Sequence, residues 1–486
     1  VKETLPWLVF TYLLAPGALF ALFLGLRARA ESARAPEDSL DLAVVSFALG
    51  PLAVGWVCLL LLTAFPGRSP AFYRWVTVAV FAALGCSHPS SLRELVGIAR
   101  NGVRTLELGR VSVALILGLY ALQKIADMVA TTSLSGFRGN DALEYATLAR
   151  LIVEHADASI YVFSAADPAT GFYSPMTHPL GYPSMFVWSF LIQGQTTILG
   201  VGKLVPVWAC LATLLLLVVS LRRHGTFAMA VGPLLLLTAP LYSWLVSEEH
   251  HVDPLLALGV LASAVCLRKT LQRPTRLWTG ISGLTLASCL FAHSLGLMAP
   301  GLFAAGYLLL SKERLKRRVL RATAAVLIAG LFGGQQYLEN VRQRGRPIGD
   351  DNPIWKIENL KVDEWFQKTR GLNTQRDRIV NGYFQCWTKP AYFGVVPWLG
   401  VLGLGLFMWR LRKDPNPDPF AKVVLVYLGL FFTALFGLTF VLGSNLVIRN
   451  ARYFIFLQPL MAYPGAVFLA SAYDSWLGDA GEQHES

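Results

Sequence analysis

The chain has 486 residues, 54% of them hydrophobic and 15% charged, with a formal net charge of +12. A soluble domain carries about 25% charged residues, whereas the apolar residues here come in runs of roughly 20, long enough to cross a bilayer. Composition therefore excludes a single soluble domain. Most of the Lys and Arg sit in short loops between apolar runs, the bias of cytoplasmic loops and not a nucleic-acid surface.

Apolar runs recur along the chain, among them residues 8–26, 43–65, 111–129, 204–221 and 423–442. No cleaved signal peptide is expected, because many spans follow the first run. Basic clusters separate the runs: Arg27/Arg29/Arg34, Arg93/Arg100/Arg104/Arg110, Arg222/Arg223, Arg268/Lys269/Arg273/Arg276, Lys312/Arg314/Lys316/Arg317/Arg318 and Arg410/Arg412/Lys413/Lys422. Placed together on the cytoplasmic side, they give a consistent alternation of about thirteen spans, the first running from outside to inside. The apolar stretch 182–194 would invert every later loop if it crossed. It is also short for a span, so it is expected to be an interfacial or re-entrant helix tucked against protein on the outer side. The fold class is thus an all-α polytopic membrane protein with outer-face interfacial helices and loops. The six cysteines (Cys58, Cys86, Cys210, Cys266, Cys289, Cys386) show no metal or disulfide spacing.

Four outer regions hold the concentrated polar chemistry: 131–201, 247–253, 335–390 and 443–452. In the first, FRGNDALEYATLARLI places Asp141, Glu144, Tyr145 and Leu148 at helical spacing on one face. The same acids also suit an ordinary first helical turn. Next, His178 in SPMTHPLGYPS precedes a proline, so its backbone is extended. The turn SEEHHVDP packs Glu248, Glu249, His250, His251 and Asp253 between two spans. Ionisable groups near membrane depth tend to be functional. Glu248, His250 and His251 are candidate ligands of a divalent metal, although their spacing is no zinc signature. The third region interleaves Arg and Lys with Trp355, Trp365, Trp387 and Tyr383, which suits a membrane interface or a phosphate- or sugar-bearing ligand. The fourth, VIRNARYF, places Arg449 and Arg452 outside, against the positive-inside trend; arginine forks hold phosphate well, and snorkelling anchors read the same.

The order of these segments resembles the GT-C superfamily of polyprenyl-phosphate-sugar glycosyltransferases. The likeness is to the branch of protein O-mannosyltransferases and the lipid A aminoarabinose transferase, and it runs from about residue 111 to the C-terminus. That family's Asp-Glu-x-x-Tyr motif reads here as Asp141-Ala-Leu-Glu144-Tyr145, with Ala142 in place of the second acid. Its Lys/His-Pro-Pro-Leu segment is matched by His178-Pro179-Leu180, one proline short, and its later acidic position by Asp253. The Asn-x-x-x-x-Gly-x-Pro segment of related bacterial members is matched by Asn340, Gly345 and Pro347.

The resemblance implies transfer of a sugar from a polyprenyl-phosphate carrier to a glycan, lipid or protein acceptor on the outer face, with inversion at the anomeric carbon. Asp141 would be the general base, and Glu144 the second acid. His178, Lys203, Arg449 and Arg452 would meet the lipid phosphate, Glu249 and Asp253 would orient sugar hydroxyls or hold a metal, and Tyr145 would bind substrate. No nucleotide-sugar motif is present, no cofactor beyond a divalent metal is implied, and a bacterial inner membrane with a periplasmic site is expected. Two other readings stay open: a transporter or flippase with polar groups lining a path, and a polymerase or ligase using lipid-linked oligosaccharide. The expected organisation is an N-terminal transmembrane extension at 1–110, a catalytic module at 111–334 with first outer loop 131–201, an outer loop region at 335–390 and C-terminal helices at 391–486.

Overall fold

The computed structural model describes residues 4–30, 36–91, 93–97, 111–134, 140–158, 179–196, 200–344, 347, 372–414, 418–441, 447–448 and 450–485. Among them there is no strand; the chain is a bundle of apolar helices. Three helices, α1 (Leu5–Arg29), α2 (Pro36–Ala64) and α3 (Pro70–Gly85), come first. Gly50 lets α2 approach α1 closely, since a Cβ there would stand 2.6 Å from the Pro16 ring. Then come α4 (Val111–Leu134), α5 (Asn140–His155) and α6 (Gly181–Gln193). All of α6 except Gln193 is buried. A helix that is apolar all round belongs inside protein, as the stretch 182–194 was expected to be.

The centre is built by α7 (Leu204–Leu221), α8 (Gly225–Leu237), α9 (Pro240–Ser247) and α10 (Asp253–Gln272). The chain reverses between α7 and α8 at Gly225, whose φ of +87° suits glycine. Gly232 then lies against the Leu221 side chain, so the two helices run antiparallel. α10 is the central strut, with 94% of its apolar window buried. Around it stand α11 (Arg276–Ala292), α12 (Met298–Leu310), α13 (Leu315–Gly333), α14 (Gln335–Arg344), α15 (Val396–Lys413), α16 (Pro419–Phe436) and α17 (Gln458–Glu485).

Seven helical runs among the described residues are long and apolar enough to cross a membrane, or eight if Gln375–Phe393 and Val396–Lys413, bent by 117°, form one broken span. Leu204–Leu237 is one of the seven runs, and Pro70–Gly85 and Ser294–Leu310 are shorter apolar helices beside them. Seven or eight departs from the count of about thirteen that loop charge gives.

The buried ion pairs of the bundle gather at its two ends. At one end Asp41 of α2 receives Lys269 Nζ at 2.5 Å, Arg268 Nη2 at 2.9 Å and Arg222 Nη2 at 3.3 Å. Arg27 pairs there with Glu94 at 2.8 Å, and His224 with Asp418 at 3.3 Å. The opposite end of α10 begins with Asp253, and the candidate site forms there.

Candidate functional site

α10 starts on Asp253 followed by Pro254, whose fixed φ and missing N–H suit a first helical turn. A carboxylate at that position also meets the positive end of the helix dipole. The turn before it carries His250 with φ +51°, in the left-handed region that a histidine rarely adopts. The turn is tied down by the buried Tyr182 hydroxyl of α6, which donates to the His250 carbonyl.

Three buried polar side chains and the half-buried Arg452 meet around this helix start. His251 Nδ1 lies 3.0 Å from Asp253 Oδ2, and Arg452 Nη1 lies 3.0 Å from His251 Nε2. Arginine can only donate, so Nε2 accepts, and the imidazole proton sits on Nδ1, facing the carboxylate. The Asp253 backbone N–H also lies 3.4 Å from Nδ1, a longer contact than the charged one. His293 Nε2, at the end of α11, is 3.8 Å from the other carboxylate oxygen. Asp253 and His251 are each 1% exposed and His293 3%, so the Asp253–His251 pair is desolvated, and the half-buried Arg452 continues it as a charge-assisted relay. Asn450 Oδ1 accepts from the Arg452 N–H at 3.2 Å, and the guanidinium lies 5.4 Å from the centre of the Tyr453 ring. The Tyr337 hydroxyl donates to the His293 carbonyl at 3.2 Å and to that of Leu290 at 3.0 Å, fixing the end of α11. Burial, with the Lys203 ammonium adding to it, pushes His250 down to about 4, so its imidazole is neutral at neutral pH.

The structure joins several residues that the sequence singled out separately. Asp253, His251 and Arg452 are in direct contact. Lys203, just before α7, acts on His250, and Glu248 and Glu249 are half-buried on the same turn. Tyr145 of α5 is buried with its ring 5.3 Å from that of Tyr182. A line of contacts thus runs from α5 through Tyr182 to the 248–252 turn. Glu144 is half-buried on α5, and the Asp141 backbone lies in the first turn of the same helix. The Asp141 side chain, His178 and Arg449 lie outside the described residues. Of the 335–390 pattern, Asn340 Nδ2 donates to the Pro347 carbonyl at 2.9 Å, while Trp355, Trp365 and Gly345 are outside the described residues. Among the described residues no three His, Cys, Asp or Glu side chains converge in a way that could hold a metal. His293 was not anticipated; its only signal is a lone histidine ending the apolar run of α11.

A bundle of apolar helices, several of them long enough to cross a bilayer, is the architecture of a polytopic membrane protein. It is shared with the apo structure of the oligosaccharyltransferase of Archaeoglobus fulgidus, at a TM-score of 0.51 and 13% identity over 78% of this chain and 52% of that one. The archaeal oligosaccharyltransferase AglB from Archaeoglobus fulgidus, in complex with an inhibitory peptide and a dolichol-phosphate, is similar at a TM-score of 0.47 and 12% identity over 75% of this chain and 52% of that one. The chain thus spans about half the length of these neighbours. No protein-family model matches the sequence, and no curated protein does.

Proposed function

We propose that the protein is a membrane glycosyltransferase that moves a sugar from a polyprenyl-phosphate carrier to an acceptor on the outer, periplasmic face, with inversion. The observation that carries this reading is the Asp253–His251–Arg452 relay, its first two members buried, at the head of the bilayer-length helix α10, in a fold of the GT-C type. Asp141 takes the proton of the acceptor hydroxyl as general base. The freed oxygen attacks the anomeric carbon, the bond from that carbon to the phosphate oxygen breaks, and its electron pair leaves with the carrier phosphate. Arg452, held by His251, and Lys203 meet the growing charge. Glu249 orients sugar hydroxyls, Tyr145 braces the turn through Tyr182, and His178 and Arg449 flank the phosphate.

The test is to incubate purified protein with polyprenyl-phosphate monosaccharides and measure release of carrier phosphate. Asp141→Asn is expected to slow release by at least ~100-fold, the usual worth of a positioned base. Release unchanged by that substitution, or an anomerically retained product, overturns the assignment. Solute uptake into proteoliposomes without donor cleavage would instead indicate a transporter. A lipid-linked oligosaccharide is the second donor to try, because the fold neighbours are oligosaccharyltransferases.

A further inference from the structure

α4 stands at the edge of the bundle. Only 11% of its apolar window is buried, and Leu115, Ile116, Leu119 and Leu122 are exposed, as a lipid-facing surface requires. One stripe breaks this pattern. Tyr120, Lys124, Asp127, Met128 and Thr131 recur at spacings of four, three, one and three, which places them on a single helix face. That face lines a cleft of about 420 Å3 whose other wall is the break between α8 and α9, with Thr238, Ser243 and Ser247. The Lys124 ammonium lies 5.5 Å from the centre of the Tyr120 ring. Neither Lys124 nor Asp127 forms an ion pair among the described residues. Ionisable side chains in a span face a cavity when they serve a substrate, and these two do.

The cleft leads to the site from both walls. α4 ends at Leu134 and the next helix is α5, which carries Asp141 and Glu144. α9 ends at Ser247, and Glu248 and Glu249 follow directly. Its charge tells what it takes. One cation and one anion leave no net charge for a phosphate, which Arg452 and Lys203 already match. A carboxylate, an ammonium, several hydroxyls and an aromatic face, above an apolar floor of Met128 and Leu237, suit an uncharged sugar joined to a lipid tail.

We propose that this cleft is the acceptor subsite and that the acceptor is a membrane glycolipid. Its headgroup sugar enters sideways between α4 and α9 while its tail stays in the bilayer. The proposal rests on the glycosyltransferase reading for the role of the ligand, and on the cleft alone for its chemistry.

The full chain in lipid nanodiscs is photolabelled with a dodecyl β-glucoside carrying a diazirine on its tail, and adducts are mapped by mass spectrometry. Labelling is expected on residues 115–131 and 237–247, to be displaced by unlabelled dodecyl glucoside, and to fall about tenfold in Lys124→Leu and Asp127→Leu, as loss of hydrogen bonds to a bound ligand would give. Lys124→Arg should restore most of it. In the transfer assay with a polyprenyl-phosphate sugar, the same Leu variants should raise KM for dodecyl glucoside about tenfold. Adducts that survive both Leu substitutions overturn the proposal. So do adducts confined to the apolar groove lined by Phe23, Trp56, Phe81 and Phe332. Specific labelling of the cleft in a protein that cleaves no donor would leave the subsite standing and remove the glycosyltransferase reading.

Discussion

Arg452 is held by His251, which is held by Asp253, so these three residues act as one unit. Replacing His251 by Phe leaves the buried Asp253 carboxylate, 1% exposed, without the imidazole that faces it. Breaking one partner of a buried pair costs about 3–5 kcal/mol. We expect His251→Phe to lower the melting temperature strongly, Arg452→Met less, and the double variant less than the sum, because residues in one network are not additive. Additive losses in thermal melts would show that the relay is not coupled. His250, next in the chain, gives the pH dependence. Its folded value, about 4, lies below the ordinary 6.5. The unfolded chain therefore takes up the proton first as pH falls. The stability that the neutral imidazole contributes is present above about pH 6.5 and is lost as pH falls through about 4. Melting temperature is expected to drop over that window, and His250→Gln to flatten the drop.

At the scale of elements, α10 is anchored at both ends, by the relay at one and by Asp41 at the other. Asp41, fully buried, serves Arg222, Arg268 and Lys269. Asp41→Asn keeps the side-chain shape but strands three cations, and a loss of about 3–5 kcal/mol is expected, read as early melting and as reduced transfer activity, because α10 also positions Asp253. An unchanged melt would mean that lipid or water compensates the cations. How far such elements were legible in the sequence differs from case to case. α10 was legible: an apolar run opening on Asp253-Pro254 and closing on Arg268 and Lys269 signals its own ends and its own sides. α6 was legible as a helix tucked against protein, because its apolar residues run all round it. The ties between elements were not. Asp41 reads as an ordinary acid near a helix start, and nothing local says that residues 181 to 228 positions away will reach it. His293 meets Asp253 across a shorter but still long stretch of chain, the whole of α10 and α11. The first three helices, set apart on resemblance alone as an extension, are packed into the core: Trp188 of α6 donates to Thr11 of α1 at 2.7 Å. Periodicity and charge reveal faces and sides; pairings between distant helices arise only when the faces pack.

For the whole molecule, the reading depends on which end faces the cytoplasm, and the chain carries a native probe of that. Cys86 is exposed, and the other five cysteines are buried. It lies at the end of α3 beside Ser87, whose carbonyl stands 3.0 Å from the Cβ position of Gly25, one turn before Arg27. This is the end where Arg27, Arg222, Arg268 and Lys269 collect, and the positive-inside bias assigns it to the cytoplasm. Thr147 is exposed on α5, at the opposite end with the candidate site. A membrane-impermeant maleimide should therefore label Cys86 only after the membrane is permeabilised. Thr147→Cys, in a Cys86→Ser background, should label in intact cells. Both side chains lie on the protein surface. The reverse pattern would place Asp253, His251 and Arg452 on the cytoplasmic side. A periplasmic acceptor would then be out of reach, and the donor would have to present its sugar from the inner leaflet. Labelling of both sites in intact cells would mean that the N-terminal helices and α5 do not lie on opposite sides of one bilayer, which the α2–α10 contact through Asp41 and the α5–α6 contact through Tyr145 do not allow while the bundle stays folded.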